Sequence, residues 1–455
     1  MITFDLIGII DSKVAYRRGT PRPAVPAHER DRRLTLALVG PLTRCYESCR
    51  IGGCGRRLDI SSPGQRKVQK VNIRGETFMI ARRQFNLLAA VAFGALSFAA
   101  HARAADPVTI GAVEILTGPN NKYGLAIKNG FDLALDEVNK AGGVLGAPLA
   151  IAYEDSAGNK DQAINAVRNL IGSKNVPLIL GPTLSNEMFA AGPVANQRKI
   201  PIVGTSTTAN GITAMGPYVF RTSLPEADVV PVTLKTARDK LGVKKVAVMY
   251  GNDDAFTKSG YDVMKGALEK LGIETLTTET FGGKDTDFSA QLTKIKALNP
   301  DAIVVSALVE AGSGILLAKK ALGFPAKVRV IGGNGLNSPK IGEIAGDAAD
   351  GTVVGSPWFI GKSDPANQKF VTAYKAKYGA DPDQFAAQAY DTLFLVADAI
   401  KAAGAADPEK IKDALGKVKR TGVLGSFSFT ADRDPADTSG VVVIEMKGGK
   451  FGLLP

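Results

Sequence analysis

Residues 107–143 read PVTIGAVEILTGPNNKYGLAIKNGFDLALDEVNKAGG. An apolar, β-branched run at 108–114 is followed by a turn rich in Gly, Pro and Asn, and then by a segment in which Ile127, Phe131, Leu135 and Val138 recur every three to four residues. The first pattern predicts a strand and the second an amphipathic helix over about 123–140. Strand, turn and helix in that order open a βαβ unit, and the alternation continues outward. Runs at 149–155, 177–181 and 200–204 read as three more strands with helical segments between them. A second series follows at 246–250, 274–281, 302–307 and 328–332. Alternating strands and helices predict an α/β fold with parallel central sheets. The last third differs: two long helical patterns, 367–378 and 383–403, precede a short one and an antiparallel hairpin element at 441–446.

Upstream of this pattern, 79–104 reads as a secretory signal peptide. Arg82 and Arg83 form the positive n-region, 85–100 is apolar, and Ala102-Arg103-Ala104 fits the small-residue cleavage pattern. The exported part is expected to begin near Ala105. Residues 1–78 then read as an upstream extension rather than native structure, rich in Arg, Gly and Pro and without a sustained period. They hold all three cysteines, Cys45, Cys49 and Cys54, which lack the fourth ligand a tetrahedral zinc site needs.

The charge argument changes once the leader is set aside. The chain has 56 Lys and Arg against 44 Asp and Glu; residues 1–78 carry 15 and 7, and 79–104 carry three and none, which leaves 38 and 37. A folded part so nearly neutral gives no basic face for nucleic acid. The two histidines, His28 and His101, also precede the cut, so 105–455 contains neither His nor Cys. Cysteine nucleophiles, Ser-His triads and imidazole or thiolate metal sites are thereby excluded from it. Binding without catalysis, cofactor or metal is the expectation.

Residues 105–455 exceed the size at which one core keeps growing, so two lobes are expected. In open α/β sheets ligands bind beyond the carboxyl ends of the strands. Three exits in the first lobe carry suitable chemistry: 117–124, ending in Tyr123; 181–186, with Leu184 and Ser185; and 204–209, with Ser206 and Thr208. Hydroxyls at helix starts serve as ordinary N-caps, but two such exits side by side can also converge on a carboxylate.

These residues carry a resemblance. Ile110-Gly111, Leu116-Thr117-Gly118-Pro119, Val138-Asn139-Lys140-Ala141-Gly142-Gly143, Tyr153-Glu154-Asp155 and Phe220-Arg221-Thr222, in this order, resemble periplasmic solute-binding proteins of the leucine/isoleucine/valine-binding type, which feed ABC importers. The resemblance implies the type I periplasmic binding fold, two Rossmann-like lobes that close as a hinge. It places crossovers near Ser223, Gly355 and Gly425, with lobe 1 at 105–223 plus 356–424 and lobe 2 at 224–355 plus 425–455. It further implies a periplasmic monomer that passes a small-molecule ligand to permease subunits.

Carried over by motif position, Ser185 would bind the ligand α-carboxylate, and Ser206 and Thr208 would hold carboxylate and ammonium. Tyr123 and Phe385 would stand against the ligand, with core packing as their alternative reading. The second lobe departs from the pattern: Asn334 stands where an ammonium-pairing Glu is expected, and Phe256 where a Tyr is expected. An amide cannot neutralise an ammonium, so either another carboxylate takes over or the ligand lacks the amine. Glu114, Asp254 and Glu310 are the candidate substitutes, although such acids are mostly solvated. A small amino acid of branched-chain type is the first reading, and an aromatic or keto acid or a small amide the second. A ligand-sensing receptor domain is a further alternative. A dinucleotide loop at Gly312-Ser313-Gly314 fails because the third glycine is out of register.

Overall fold

The computed structural model describes residues 105–455. The expected signal peptide and upstream extension, with the three cysteines, lie outside the described residues.

Two open sheets organise the chain. The smaller joins β1 (Val108–Glu114), β2 (Leu149–Asp155), β3 (Ile179–Leu180), β4 (Ile202–Gly204) and β5 (Val219–Arg221) in the order β2-β1-β3-β4-β5, all parallel. The larger contains β6 (Lys245–Gly251), β7 (Glu274–Phe281), β8 (Ala302–Ser306), β9 (Arg329–Gly332) and β10 (Thr352–Ser356), followed by β13 (Val442–Lys447) and β14 (Lys450–Leu453). Its order is β14-β13-β10-β9-β8-β6-β7, with only β13 and β14 antiparallel. A separate two-stranded ribbon pairs β11 (Lys419–Gly422) with β12 (Gly425–Ser428). The fold is α/β with two parallel central sheets, as expected.

Both sheets share one topology. In each, the first strand lies between the second and the third, and the chain reverses direction across the sheet there. Loops leaving the two flanking strands diverge at that point and open a crevice. The central strands are buried on both faces, as parallel strands covered by helices must be; every residue of β8 is buried.

The third passage between the sheets differs from expectation. Residues after Gly425 stay with the smaller sheet: the Arg221 amide donates to the Arg433 carbonyl at 3.3 Å, and Phe429 packs edge-on to Phe220 at 5.2 Å. The chain joins the larger sheet only at Val442, so this passage lies at 437–441, after Gly425. The helices Pro365–Tyr378 and Gln384–Ala403 both pack on the first helix, Asn121–Lys140. Contact with the latter is close enough that a Cβ on Gly130 would lie 2.2 Å from the Ala386 carbonyl oxygen. That proximity explains why a glycine interrupts an otherwise well-formed amphipathic helix.

Candidate ligand-binding site

The exit from β3 turns sharply at Gly181, whose φ of 86° and close approach to the Val113 carbonyl leave no room for a Cβ. The turn delivers Thr183 and Leu184 to the start of the helix Ser185–Gln197. Thr183 accepts from the Ile115 amide at 3.1 Å and donates to Glu114, which ties the β1 and β3 exits together. Glu187 reaches back to the Leu184 amide at 3.0 Å. Ser206 donates to the Thr183 carbonyl at 2.5 Å and so joins the β4 exit to the same group.

Seven of the eight residues singled out in the sequence share one cavity wall: Tyr123, Leu184, Ser185, Ser206, Phe256, Asn334 and Phe385, with Thr183, Leu308 and Gly335 between them. Thr208 is the eighth and does not reach the wall. It lies buried in the same loop with its hydroxyl unpartnered. The Ser185 hydroxyl accepts from the Ala209 amide at 3.3 Å, which leaves its own proton free to donate.

Tyr123 is already committed across the cleft. Its hydroxyl donates to the Gly335 carbonyl at 2.6 Å and accepts from the Val309 amide at 2.7 Å. Its ring meets Phe385 at 4.9 Å. Asn186 bonds Asp254 and accepts from the Ala255 amide at 2.9 Å, and the Asn210 amide donates to Ser259 at 2.8 Å. With these links made, the cavity is about 20 Å³, room for roughly one water. Any organic solute therefore needs the two sides to part before it enters. Tyr123→Phe is expected to remove two latch bonds, each worth about 1 kcal/mol. Small-angle scattering of the ligand-free protein should show a larger radius of gyration for the variant; an unchanged value would dismiss the latch.

None of the three carboxylates put forward as substitutes for an ammonium partner points into this cavity. Glu114 is fully buried behind the Thr183 turn. Asp254 caps the helix Ala255–Leu271 by accepting from the Thr257 amide at 2.9 Å. Glu310 is exposed. A fourth acid, also outside the cavity wall, lies buried against the Asn334 and Thr208 loops. Glu226, at the start of the helix Glu226–Leu241, is 1% exposed. Its amide donates to the Thr208 carbonyl at 3.0 Å, and its Oε1 accepts from the Asn334 amide at 2.8 Å. Its other oxygen has no partner. Burial raises the Glu226 carboxyl to about 7, against the opposing effect of the Asn334 amide. In sequence this residue is an ordinary acid in a helix's first turn; only the approach of the Gly333-Asn334 loop buries it. The Asn334 side chain is itself occupied, its carbonyl accepting from Gln384 at 2.7 Å.

Comparison with known proteins follows this geometry. Residues 107–450 match the sequence profile of the family described as Periplasmic binding protein. A Leu/Ile/Val-binding protein of Rhizobium johnstonii is 30% identical over 357 residues, spanning 75% of this chain and 95% of the relative. The branched-chain amino acid transporter substrate binding protein LivJ of Streptococcus pneumoniae, solved with isoleucine, is 30% identical with a TM-score of 0.72, covering 76% of this chain and 98% of its own. A solute binding protein of an ABC transporter from Rhodopseudomonas palustris, solved with 3,4-dihydroxybenzoic acid, is 26% identical with a TM-score of 0.69, covering 76% and 95%.

Proposed function

This chain belongs to the periplasmic binding protein family, and from that premise we propose that it captures a small amino acid of branched-chain type between its two lobes and delivers it to the permease of an ABC importer. The observation that carries this reading is the polarity of the cleft. The Ser185 hydroxyl, its proton uncommitted, stands in the cavity wall on the smaller-sheet side, and the unpartnered Thr208 hydroxyl lies buried in the adjoining Ser206 loop, short of the wall. A buried carboxylate oxygen of Glu226, without a partner, stands beside the Thr208 loop. Hydroxyls and helix-start amides suit a carboxylate, and an unpaired acid suits an ammonium, so the pair fits the two ends of a zwitterion. The apolar walls of Leu184, Phe256 and Phe385 suit an aliphatic side chain. Delivery from the periplasm after removal of a signal peptide, and action as a monomer, complete the proposal.

A second reading has a specific basis. Burial favours the protonated form of Glu226, and a neutral carboxyl donates a hydrogen bond as readily as it accepts one. With Phe256 and Phe385 on the walls, the cleft could then take an aromatic acid, the ligand class seen in the Rhodopseudomonas palustris relative.

Calorimetry separates the two. Leucine or isoleucine is expected to bind with clear heat while 4-methyl-2-oxopentanoate, which lacks only the amine, binds at least tenfold more weakly. The reverse ranking would move the assignment to an acid without the amine, and binding confined to 3,4-dihydroxybenzoate would move it to the aromatic acid. For either ligand, Ser185→Ala should cost roughly 1–3 kcal/mol by removing a donor to a buried carboxylate; an unchanged dissociation constant would remove Ser185 from the site.

A further inference from the structure

A second cavity, of about 240 Å³, lies at the connections between the two sheets, apart from the cleft. All three connections contribute to it: Thr222 and Leu224 from the first, Pro357 from the second, and Ser439 and Gly440 from the third. Its other walls are the β11–β12 ribbon and one face of the helix Gln384–Ala403. On that helix Gln388, Asp391, Thr392 and Leu395 recur at the three and four residue intervals that place side chains on one face. In most proteins such a face would be covered by packing; here it borders open space.

The polar groups in this wall are mostly acceptors. Gln388 is 3% exposed, and its Oε1 has no hydrogen-bond partner. Asp391, one turn further on, takes the amides of Val423 and Leu424 at 3.0 and 2.9 Å, one on each oxygen, and each oxygen keeps a free lone pair. The hydroxyls of Thr222 and Thr392 are satisfied by each other at 2.7 Å. The one cation in the wall, Arg420, is held through Nη1 by Asp398 at 2.5 Å and lies over the Phe394 ring at 4.5 Å, with its buried Nε left as the one unpartnered donor among these groups. Asp437 adds a second carboxylate. An unpaired buried acceptor is costly, and a ligand group that donates to it recovers that cost. Negative charge in the wall opposes an anion, whereas the apolar bulk from Leu224, Leu395, Leu424 and Phe427 suits a compact hydrocarbon body.

We propose that this hinge cavity is a second small-molecule site, for a primary amine or amide carried on a compact apolar body, with the nitrogen donating to Gln388 and Asp391. Because its walls are the segments that bend when lobes move, its occupant and the occupant of the cleft influence each other's affinity reciprocally. The proposal does not depend on which solute the cleft takes.

The test uses benzylamine, with benzoate as its anionic counterpart. Trp358 is the single tryptophan of the chain, is buried, and directly follows Pro357 in the cavity wall, so its emission reports occupancy. Titration of the purified protein with benzylamine is expected to change that emission saturably, with benzoate at least tenfold weaker in the same readout. A crystal of the benzylamine complex should place the nitrogen about 3 Å from Gln388 and Asp391, and Gln388→Leu should weaken binding about tenfold. Only ordered water in the cavity at saturating benzylamine, benzylamine density in the cleft instead, or equal binding by the Gln388→Leu protein would overturn the site. The crystal of the unmodified protein decides the matter alone if the variant fails to fold.

Discussion

Glu226→Gln is expected to weaken amino acid binding by about 2–5 kcal/mol, roughly 30- to 5,000-fold, the range found when one partner of a buried charge pair is removed. The substitution keeps the shape of the side chain and its acceptor for the Asn334 amide, and removes only the charge an ammonium would meet. Calorimetry on the two proteins with leucine, and with 4-methyl-2-oxopentanoate as the amine-free control, reads the effect. The variant should lose affinity for leucine and keep whatever affinity it has for the keto acid. Equal losses for both, or none for leucine, would take the counter-charge role away from Glu226.

The same residue carries a pH signature. An ammonium favours the ionised carboxylate, so leucine binding below about pH 7 has to displace the proton held there. Affinity should rise with pH, by at most tenfold per unit, and level off above 7. Glu187, also raised to about 7 by burial, sits at the start of the helix bearing Ser185 and opposes a ligand carboxylate once ionised. Its contribution has the opposite sign, so the informative quantity is the difference between the profiles of the native protein and Glu226→Gln. Stability follows the folded-state values. Glu226 holds its proton up to about 7 when folded and only to the ordinary glutamate value of 4.5 when unfolded. The folded state therefore binds more protons between those values, and stability falls as pH rises through that window. Glu226→Gln should flatten the decline in melting temperature between pH 5 and 7.

How far the sequence foretold this site depends on which interactions are local. Strands β1, β2 and β7 have the ends expected for them, each abutting a turn residue on at least one side, Pro107, Pro148 and Gly282. The missed strands are those with weak signals. β5 is three residues long and ends in an arginine, and β10 has only three β-branched residues before it ends in Gly355 and Ser356. Ser185, Ser206 and Tyr123 were legible because strand exits and helix starts are written in Ser, Thr, Gly and Pro. Glu226 was not, since its burial comes from a loop 108 residues away. Asn334 could be recognised as a departure from the expected acid. The acid proposed in its place, Glu226, stands out only once the fold brings the first connection between the sheets against the exit of β9.

The largest effect on folding is expected from Arg221→Met. Arg221, at the end of β5, is buried to 3% exposure of its side chain. Its Nε and Nη2 donate to the two oxygens of Asp434 at 2.6 and 3.2 Å, and Nη1 donates to the carbonyls of Thr207 and Ala209 at 3.2 and 2.6 Å. One guanidinium thus fastens the loop bearing Ser206 and Thr208 to the segment that returns from the β11–β12 ribbon. Methionine fills similar space but satisfies none of these acceptors, leaving one carboxylate and two carbonyls short of donors. Breaking a buried ion pair from one side typically costs about 3–5 kcal/mol; Asp434 is 27% exposed, and water can reach it, so the lower end applies. Urea unfolding should show a midpoint decreased by that amount divided by the unfolding slope, with the slope unchanged. Because the Thr205–Ala209 loop loses its anchor, ligand affinity should fall as well, even though Arg221 is not part of the cavity wall. Asp434→Asn separates the two contributions: it weakens the pair but leaves Nη1 on the loop carbonyls, so stability should drop while binding by the remaining folded protein stays close to native. If both variants lost affinity equally, the loop would be held by the returning segment rather than by the arginine.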